Sequence, residues 1–377
     1  MRIEVAAHTL KSALSAVMPA LYGKRNTTTP ADVVLLADAQ GLTVTAGQTD
    51  MVLSYTIPNH QARLHIMRAG QAALPCSTLN DIIRSLSEEI VNLEASQGNI
   101  LVIRSGSAVY ELCGSEAPIS IKFPSNASPL ATAHLPSSLL RRIVREVAWA
   151  ASTSDARPVL SGVHCYMDSS HIHLTATDGV RFASSKTSRS LSSLLDHQTG
   201  IEVIIPKRHL ASYAKLLTEE CSTEIALYDS SMTLSSSGFV MQSSVIEGSF
   251  PSLDRVSSSC YGNELILSTQ NFLAIVERVT LLAGDSHVIQ LCTVQNGTLV
   301  LSARAATIGH VSEEVYPLTR IGEMNTISFN GRFMIDILRA IPSDSLRLMI
   351  SGPRSPIRLQ PIDRMDTFFL LTPVITR

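Results

Sequence analysis

The sequence predicts an α+β protein built from three repeated domains, each an antiparallel sheet accompanied by two helices. Three markers, recurring in one order, predict it. A strand running into a helix occurs at Val5-Ala6-Ala7-His8-Thr9-Leu10, at Leu135-Pro136-Ser137-Ser138-Leu139-Leu140 and at Leu267-Ser268-Thr269-Gln270-Asn271-Phe272. A second strand-to-helix junction follows each of these, at Leu74-Pro75 with Leu79, Ile205-Pro206 with Leu210, and Phe329-Asn330 with Met334. Between them lies a strand ending Val44-Thr45-Ala46, then Leu174-Thr175-Ala176, then Leu301-Ser302-Ala303. The period, near 130 residues from Val5 to Leu135, is far above the roughly 20–50 residues of solenoid units, so each copy needs its own core.

Each element has a local reason. Alternation at Gly41-Leu42-Thr43-Val44-Thr45, His171-Ile172-His173-Leu174-Thr175 and Thr298-Leu299-Val300-Leu301 predicts half-buried strands. Helices are expected at 8–17, 76–86, 136–150, 206–218, 269–282 and 331–341, with Pro75, Pro136 and Pro206 opening three of them in the first turn. Leu139, Ile143 and Val147 would face the sheet, leaving Arg141 and Arg145 together on the opposite face. Loop composition places the domain boundaries near 126–132 and 256–263, giving domains of 1–128, 129–256 and 257–377.

Composition narrows the class. Met1-Arg2-Ile3-Glu4 starts a strand directly with no signal-peptide pattern, and no apolar run approaches the ~20 residues of a membrane span. Six scattered cysteines without a Cys-x-x-Cys pair read as reduced thiols of a cytoplasmic protein. Net charge is −2, yet the six expected helices hold eleven Lys or Arg against four acids. Either one surface is built for a polyanion, or the helices favour basic residues while acids fall in loops.

No phosphate loop, dinucleotide fingerprint, His-Glu-x-x-His or nucleophile elbow occurs. His171 and His173 share a strand face but lack further ligands at metal spacing, and no cofactor is implied. Thr177-Asp178-Gly179 reads as hairpin-turn chemistry, with a catalytic carboxylate as the alternative.

Longer motifs carry a resemblance. Arg157-Pro158-Val159-Leu160-Ser161-Gly162 and Thr175-Ala176-Thr177-Asp178-Gly179-Val180-Arg181-Phe182-Ala183 resemble the middle domain of the β sliding clamp of bacterial DNA polymerase III. Glu247-Gly248-Ser249-Phe250-Pro251-Ser252-Leu253-Asp254-Arg255-Val256 is similar to the family's junction of second and third domains. Phe329-Asn330-Gly331-Arg332-Phe333-Met334-Ile335-Asp336-Ile337-Leu338 and the tail Phe369-Leu370-Leu371-Thr372-Pro373-Val374 match the third domain, whereas the first matches least, around Thr27-Thr28-Thr29-Pro30-Ala31-Asp32.

The resemblance implies clamp domains closed into a ring by a head-to-tail homodimer, helices inside and sheets outside, around duplex DNA held without sequence preference. It implies a non-catalytic processivity factor that binds a clamp loader, polymerases and repair proteins. DNA contact would fall to Lys24, Arg25, Arg141, Arg142, Arg145, Lys207 and Arg208. A partner-peptide cleft would be formed by Leu160, Thr177, Gly179, Arg181, Phe182, Pro251, Arg255 and Val256. Its third-domain side would be Arg354, Pro356, Leu370, Leu371, Thr372, Pro373 and Val374. Thr78, Tyr110 and Leu112 would meet Leu281 and Leu282 of another copy.

Three departures from the family pattern stand at the cleft. Val180 replaces a frequent histidine, Ile375 replaces a basic residue, and Pro158-Val159 replaces an aromatic pair. They raise the alternative of a divergent paralogue serving restricted repair or mobile-element partners. An enzyme acting through Thr177-Asp178-Gly179 is the reading from a different class.

Overall fold

Strand and helix propensities switch within two residues at each predicted junction, and the computed structural model places an element boundary at all six. It describes residues 1–21, 32–59, 64–95, 99–115, 128–154, 156–188, 200–218, 221–251, 261–294, 297–305, 309–322 and 326–375. The first copy runs β1 (Arg2–Ala6), α1 (Ala7–Val17), β2 (Asp32–Ala37), β3 (Gly41–Gly47), β4 (Met51–Pro58), β5 (His65–Arg68), β6 (Gly70–Pro75), α2 (Cys76–Ser85), β7 (Ile90–Ala95), β8 (Ile100–Ser105) and β9 (Ala108–Cys113). The second runs β10 (Ala131–Pro136), α3 (Ser137–Val147), β11 (Gly162–Met167), β12 (His171–Thr177), β13 (Arg181–Ser188), β14 (Ile201–Pro206), α4 (Lys207–Leu216), β15 (Ser222–Leu227), β16 (Ser231–Ser236) and β17 (Phe239–Ser244). The third runs β18 (Asn263–Ser268), α5 (Thr269–Thr280), β19 (Val288–Thr293), β20 (Leu299–Ala305), β21 (Gly309–Val315), β22 (Thr319–Ile321), β23 (Ile327–Asn330), α6 (Gly331–Ala340), β24 (Ser345–Ile350), β25 (Ile357–Pro361) and β26 (Thr367–Leu371).

Helix starts follow from caps. The Ser268 hydroxyl accepts from the Asn271 amide at 3.5 Å, and Asn330 Oδ1 accepts from the Phe333 amide at 3.2 Å. Pro75, Pro136 and Pro206 close their strands instead of occupying the first helical turn. Each completes a strand register, with Asp32, Ser222 and Gly162 respectively. Helix α3 ends at Val147 and tightens into a 3-10 turn over Ala148–Ala150, shortening the expected 136–150 segment.

Sheet topology differs from one sheet per repeat. Every repeat divides its strands between two sheets, because its two strand–helix halves pair independently. Among the described residues the sheets run β5-β1-β7-β8-β9, β10-β15-β16-β17-β4-β3-β2-β6, β14-β11-β12-β13-β26-β25-β24-β18-β22 and β21-β20-β19-β23. Two sheets therefore pass from one repeat to the next, through β4 with β17 and β13 with β26. The chain packs as two compact units, one mainly Met1–Arg141 with Arg208–Val245, the other Arg142–Arg189, Thr199–Lys207 and Ile246–Arg377.

In the first unit α1 packs on β3, β4 and α2, burying Leu10, Ala13, Leu14 and Val17. In the second, α5 lies against α6, β20 and β21, with Phe272, Val276 and Val279 buried. Tyr213 centres the first core, and Phe272, Phe329 and Phe369 the second, all almost fully excluded from solvent. Burial pushes the thiol of Cys76 up to about 11 and that of Cys165 up to about 12, so neither is a thiolate at neutral pH. Among the described residues no helix is long and apolar enough to cross a membrane.

Candidate partner cleft and nucleic-acid interface

The Asp178–Val180 turn is built by its own side chains. Asp178 Oδ1 accepts from the amides of Val180 at 2.9 Å and Arg181 at 2.7 Å. Thr177 Oγ1 donates to the Arg181 carbonyl at 2.6 Å and accepts from the Gly179 amide at 3.0 Å. Gly179 has φ +93°, a conformation only glycine adopts without strain. The turn holds β13 in register with β26, Arg181 opposite Leu371 and Phe182 opposite Leu370. The Thr372 amide then donates to the Val180 carbonyl at 3.0 Å, bringing the tail beside the turn.

Seven predicted cleft residues thus come together, Thr177, Gly179, Arg181, Phe182, Leu370, Leu371 and Thr372; Leu160, Pro373 and Val374 lie in the same unit. Leu160, Thr177, Phe182, Leu370, Leu371 and Pro373 are buried, Val374 is half-buried and Thr372 exposed. Pro251 is exposed, Arg354 is exposed in the turn before β25, and Pro356 is half-buried there. Arg255 and Val256 lie outside the described residues. Val180 and Ile375 flank this group, 42% and 66% exposed.

Arg181 is tied inward. Its Nε and an Nη each stand 2.8 Å from Asp178 Oδ2, and its other Nη is 2.5 Å from Asp336 Oδ2 on α6. The guanidinium lies over Phe333 at 4.4 Å and near Trp149 at 5.6 Å. Sequence reasoning misses Trp149, Phe333 and Asp336 as members of this group. The Phe329–Leu338 motif contains two of them, but nothing local marks them as neighbours of Arg181.

The basic residues separate by burial. Leu140, Ile143, Val144 and Val147 form the buried stripe of α3, and Leu139 is only half-buried. At about 100° per residue that stripe puts Arg142 and Arg145 on the solvent face and Arg141 on the flank. Arg141 is half-buried and donates to the Leu217 carbonyl at 3.3 Å, so the exposed pair is 142/145 and not 141/145. Lys207 is turned to the Ala151 carbonyl at 2.9 Å, and burial lowers its pKa, helped by the Arg181 charge. Arg208 is engaged with Asp50, and its Nε stands 3.1 Å from His209 Nε2. Lys24 and Arg25 lie outside the described residues.

Two strand edges carry the residues expected between copies. β9 and β21 each end a sheet. Tyr110 and Leu112 are half-exposed on β9 beside Val109, which is 59% exposed; Thr78 is exposed on α2. Leu281, just past α5, is 77% exposed, and Leu282 is half-buried. A groove lined by Asn271, Ile275, Arg278, Glu313 and Tyr316 runs between α5 and β21.

Solved structures share this architecture end to end. The sliding clamp of Bacillus subtilis superposes with a TM-score of 0.93 at 23% identity, and the DNA polymerase III β chain of Streptococcus pneumoniae with 0.90 at 25%, each covering 100% of both chains. The fold is that of a sliding clamp. Models of the DNA polymerase III beta subunit match throughout: the N-terminal domain over residues 1–118, the central domain over 134–252 and the C-terminal domain over 260–374. Beta sliding clamps of Halalkalibacterium halodurans (28% identical, 91% of each chain) and Streptococcus pneumoniae (29%, 84% of each) are among its relatives. The chain belongs to the DNA polymerase III β sliding clamp family.

Proposed function

We propose that two copies of this chain close head to tail into a ring that encircles duplex DNA and tethers DNA polymerase for processive synthesis. The observation that carries this reading is the repetition of one strand junction. Ala46, Ala176 and Ala303 are the third marker of each repeat and pair with Leu53, Ala183 and Val311. Leu53 is joined to Met241 of the next repeat, and Ala183 to Phe369. Among the described residues Val311 on the third repeat has no such partner strand, and β9 of the first repeat carries Tyr110 at the matching position. A third junction between copies, with Val311 opposite Tyr110 and Ser312 opposite Val109, uses both edges. Open edges of this length invite pairing, and pairing these two between copies closes a cyclic assembly.

DNA is held by phosphate attraction without base readout, so the ring can slide. Arg142 and Arg145 are the principal contacts, with Arg141, Lys24 and Arg25 assisting. Polymerases, repair proteins and a clamp loader dock short apolar segments in the cleft of Leu160, Phe182, Leu370, Pro373 and Val374. The protein is a cytoplasmic, non-catalytic subunit, with domains 1–128, 129–256 and 257–377. The engagement of Asp178 with two backbone amides and Arg181 supports a turn role for the alternative enzyme site. The match over all three domains favours a replication clamp over a restricted paralogue.

The test is topological. After loading, the protein should remain on circular duplex DNA and be lost when the circle is cut. Equal retention on linear DNA with free ends would overturn the ring.

A further inference from the structure

The second repeat buries a carboxylate that the strand junction does not require. Glu146 on α3 is fully excluded from solvent. Arg364, in the connection between β25 and β26, grips it with two bonds of 2.5 and 2.8 Å and is itself 13% exposed. The remaining capacity is filled locally: Ser185 Oγ on β13 donates to Glu146 Oε2 at 3.2 Å, and Arg364 donates to Thr367 Oγ1 on β26 at 3.0 Å. Ser185 and Thr367 hydroxyls lie 2.9 Å apart. Arg142 approaches only to 3.9 Å. One ion pair therefore joins the second-repeat helix, the second-repeat strand and the third-repeat strand that leads to Leu370 and Leu371.

The other repeats show that strand pairing does not depend on it. Counting from Leu10, Leu140 and Phe272, the position of Glu146 is held by Ala16 in α1 and Arg278 in α5. The β4–β17 junction forms the same ladder with Ala16 there. Arg278 turns to Glu313 of its own repeat. Burying two charges is costly even when they are paired, and apolar replacements of both are often neutral or better. A pair kept where pairing does not need it has its role in geometry.

From this we infer that Glu146 and Arg364 are positioning residues for the docking cleft: the ion pair sets how β26 and its tail lie against the Asp178–Val180 turn. The inference rests on the cleft reading above. Trp149 reports on the same place. It is the only tryptophan, its Nε1 donates to the Glu146 carbonyl at 2.6 Å, and its ring lies 6.2 Å from Phe369.

The experiment uses the full-length protein and a fluorescently labelled short peptide with apolar anchor side chains. Arg364→Met strips the buried Glu146 of its close charged partner, leaving Arg142 at 3.9 Å, and should weaken peptide binding about tenfold and shift Trp149 emission. Because that variant could unfold, the double variant Glu146→Leu with Arg364→Met carries the decision. It should recover the wild-type melting temperature and dimer mass while peptide binding stays several-fold weak. A folded double variant that binds like wild type overturns the inference and leaves the cleft intact. Leu160→Glu is the control for the cleft: if it too binds like wild type, the cleft reading fails and this inference with it.

Discussion

Arg181 on β13 and Asp336 on α6 are 155 positions apart in sequence and meet at 2.5 Å, with Asp178 closing the other side of the same guanidinium. A residue expected at the rim of the cleft is thus a clasp between the second and third repeats. Arg181→Ala removes charged hydrogen bonds in a mostly enclosed setting and leaves Asp178 without its partner. The expected loss is about 1.5–3 kcal/mol of stability, read from the shift in urea midpoint. An unchanged midpoint would return Arg181 to the rim as a free donor for peptides.

The copy–copy junction can be tested by its register. Val109→Cys with Ser312→Cys should yield an intermolecular disulfide under mild oxidation, because directly opposed strand residues hold their Cβ atoms about 4.5–5.5 Å apart. The same chain with Ser312→Cys alone controls for the exposed native Cys113. Leu281→Ala with Leu282→Ala should give monomers at micromolar concentration by sedimentation, since each buried leucine contributes roughly 1.5–3 kcal/mol before association costs.

On DNA, Arg142→Ala with Arg145→Ala should weaken retention and flatten its dependence on salt, by about one counterion for each phosphate that is no longer neutralised. Arg141→Ala should matter less, because its guanidinium is bound to the Leu217 carbonyl. Equal effects from all three would show that α3 presents a different face to the duplex.

Acid should loosen the first internal junction. Asp50, just before β4, is held down to about 2 from its ordinary 3.8, chiefly by His209, whose Nε2 stands 3.7 Å away, and by the charge of Arg208. A carboxylate with a depressed folded pKa adds stability that is fully present above its unfolded value and disappears as pH falls through the folded one. The window is therefore about pH 4 down to about 2. Solvent screening reduces its size, since Asp50 is 42% exposed. Asp50→Asn should remove that part of the pH dependence of thermal unfolding and leave the profile above pH 5 flat relative to wild type.

Peptide affinity should depend on a few anchors. Leu160→Ala, or removal of residues 373–377, should cost more than Arg354→Ala in a titration with a labelled clamp-binding peptide. Val180 and Ile375 make the exposed rim apolar, so replacing a polar leading residue of the peptide by alanine should change affinity little. A large drop in affinity would mean that another group supplies the polar contact.

The amino-acid order alone determined what depends on neighbours a few residues away. Three copies, the six helices among the described residues, the alternating strands around Ala46, Ala176 and Ala303, and the Asp178-Gly179 turn are all consequences of local periodicity, capping and glycine freedom. Only the tertiary structure decided how those copies share sheets and where their charges end. Arg208 meets Asp50 over 158 positions, and Arg364 meets Glu146 over 218. No periodicity encodes such pairs. A lysine or arginine on a helix reads as solvated until folding brings a carboxylate or carbonyl to it, as happened to Lys207 and Arg208; Arg145 stays exposed. The same reason separates Arg141 from Arg142: one step of about 100° around α3 decides which is half-buried against the Leu217 carbonyl and which is exposed.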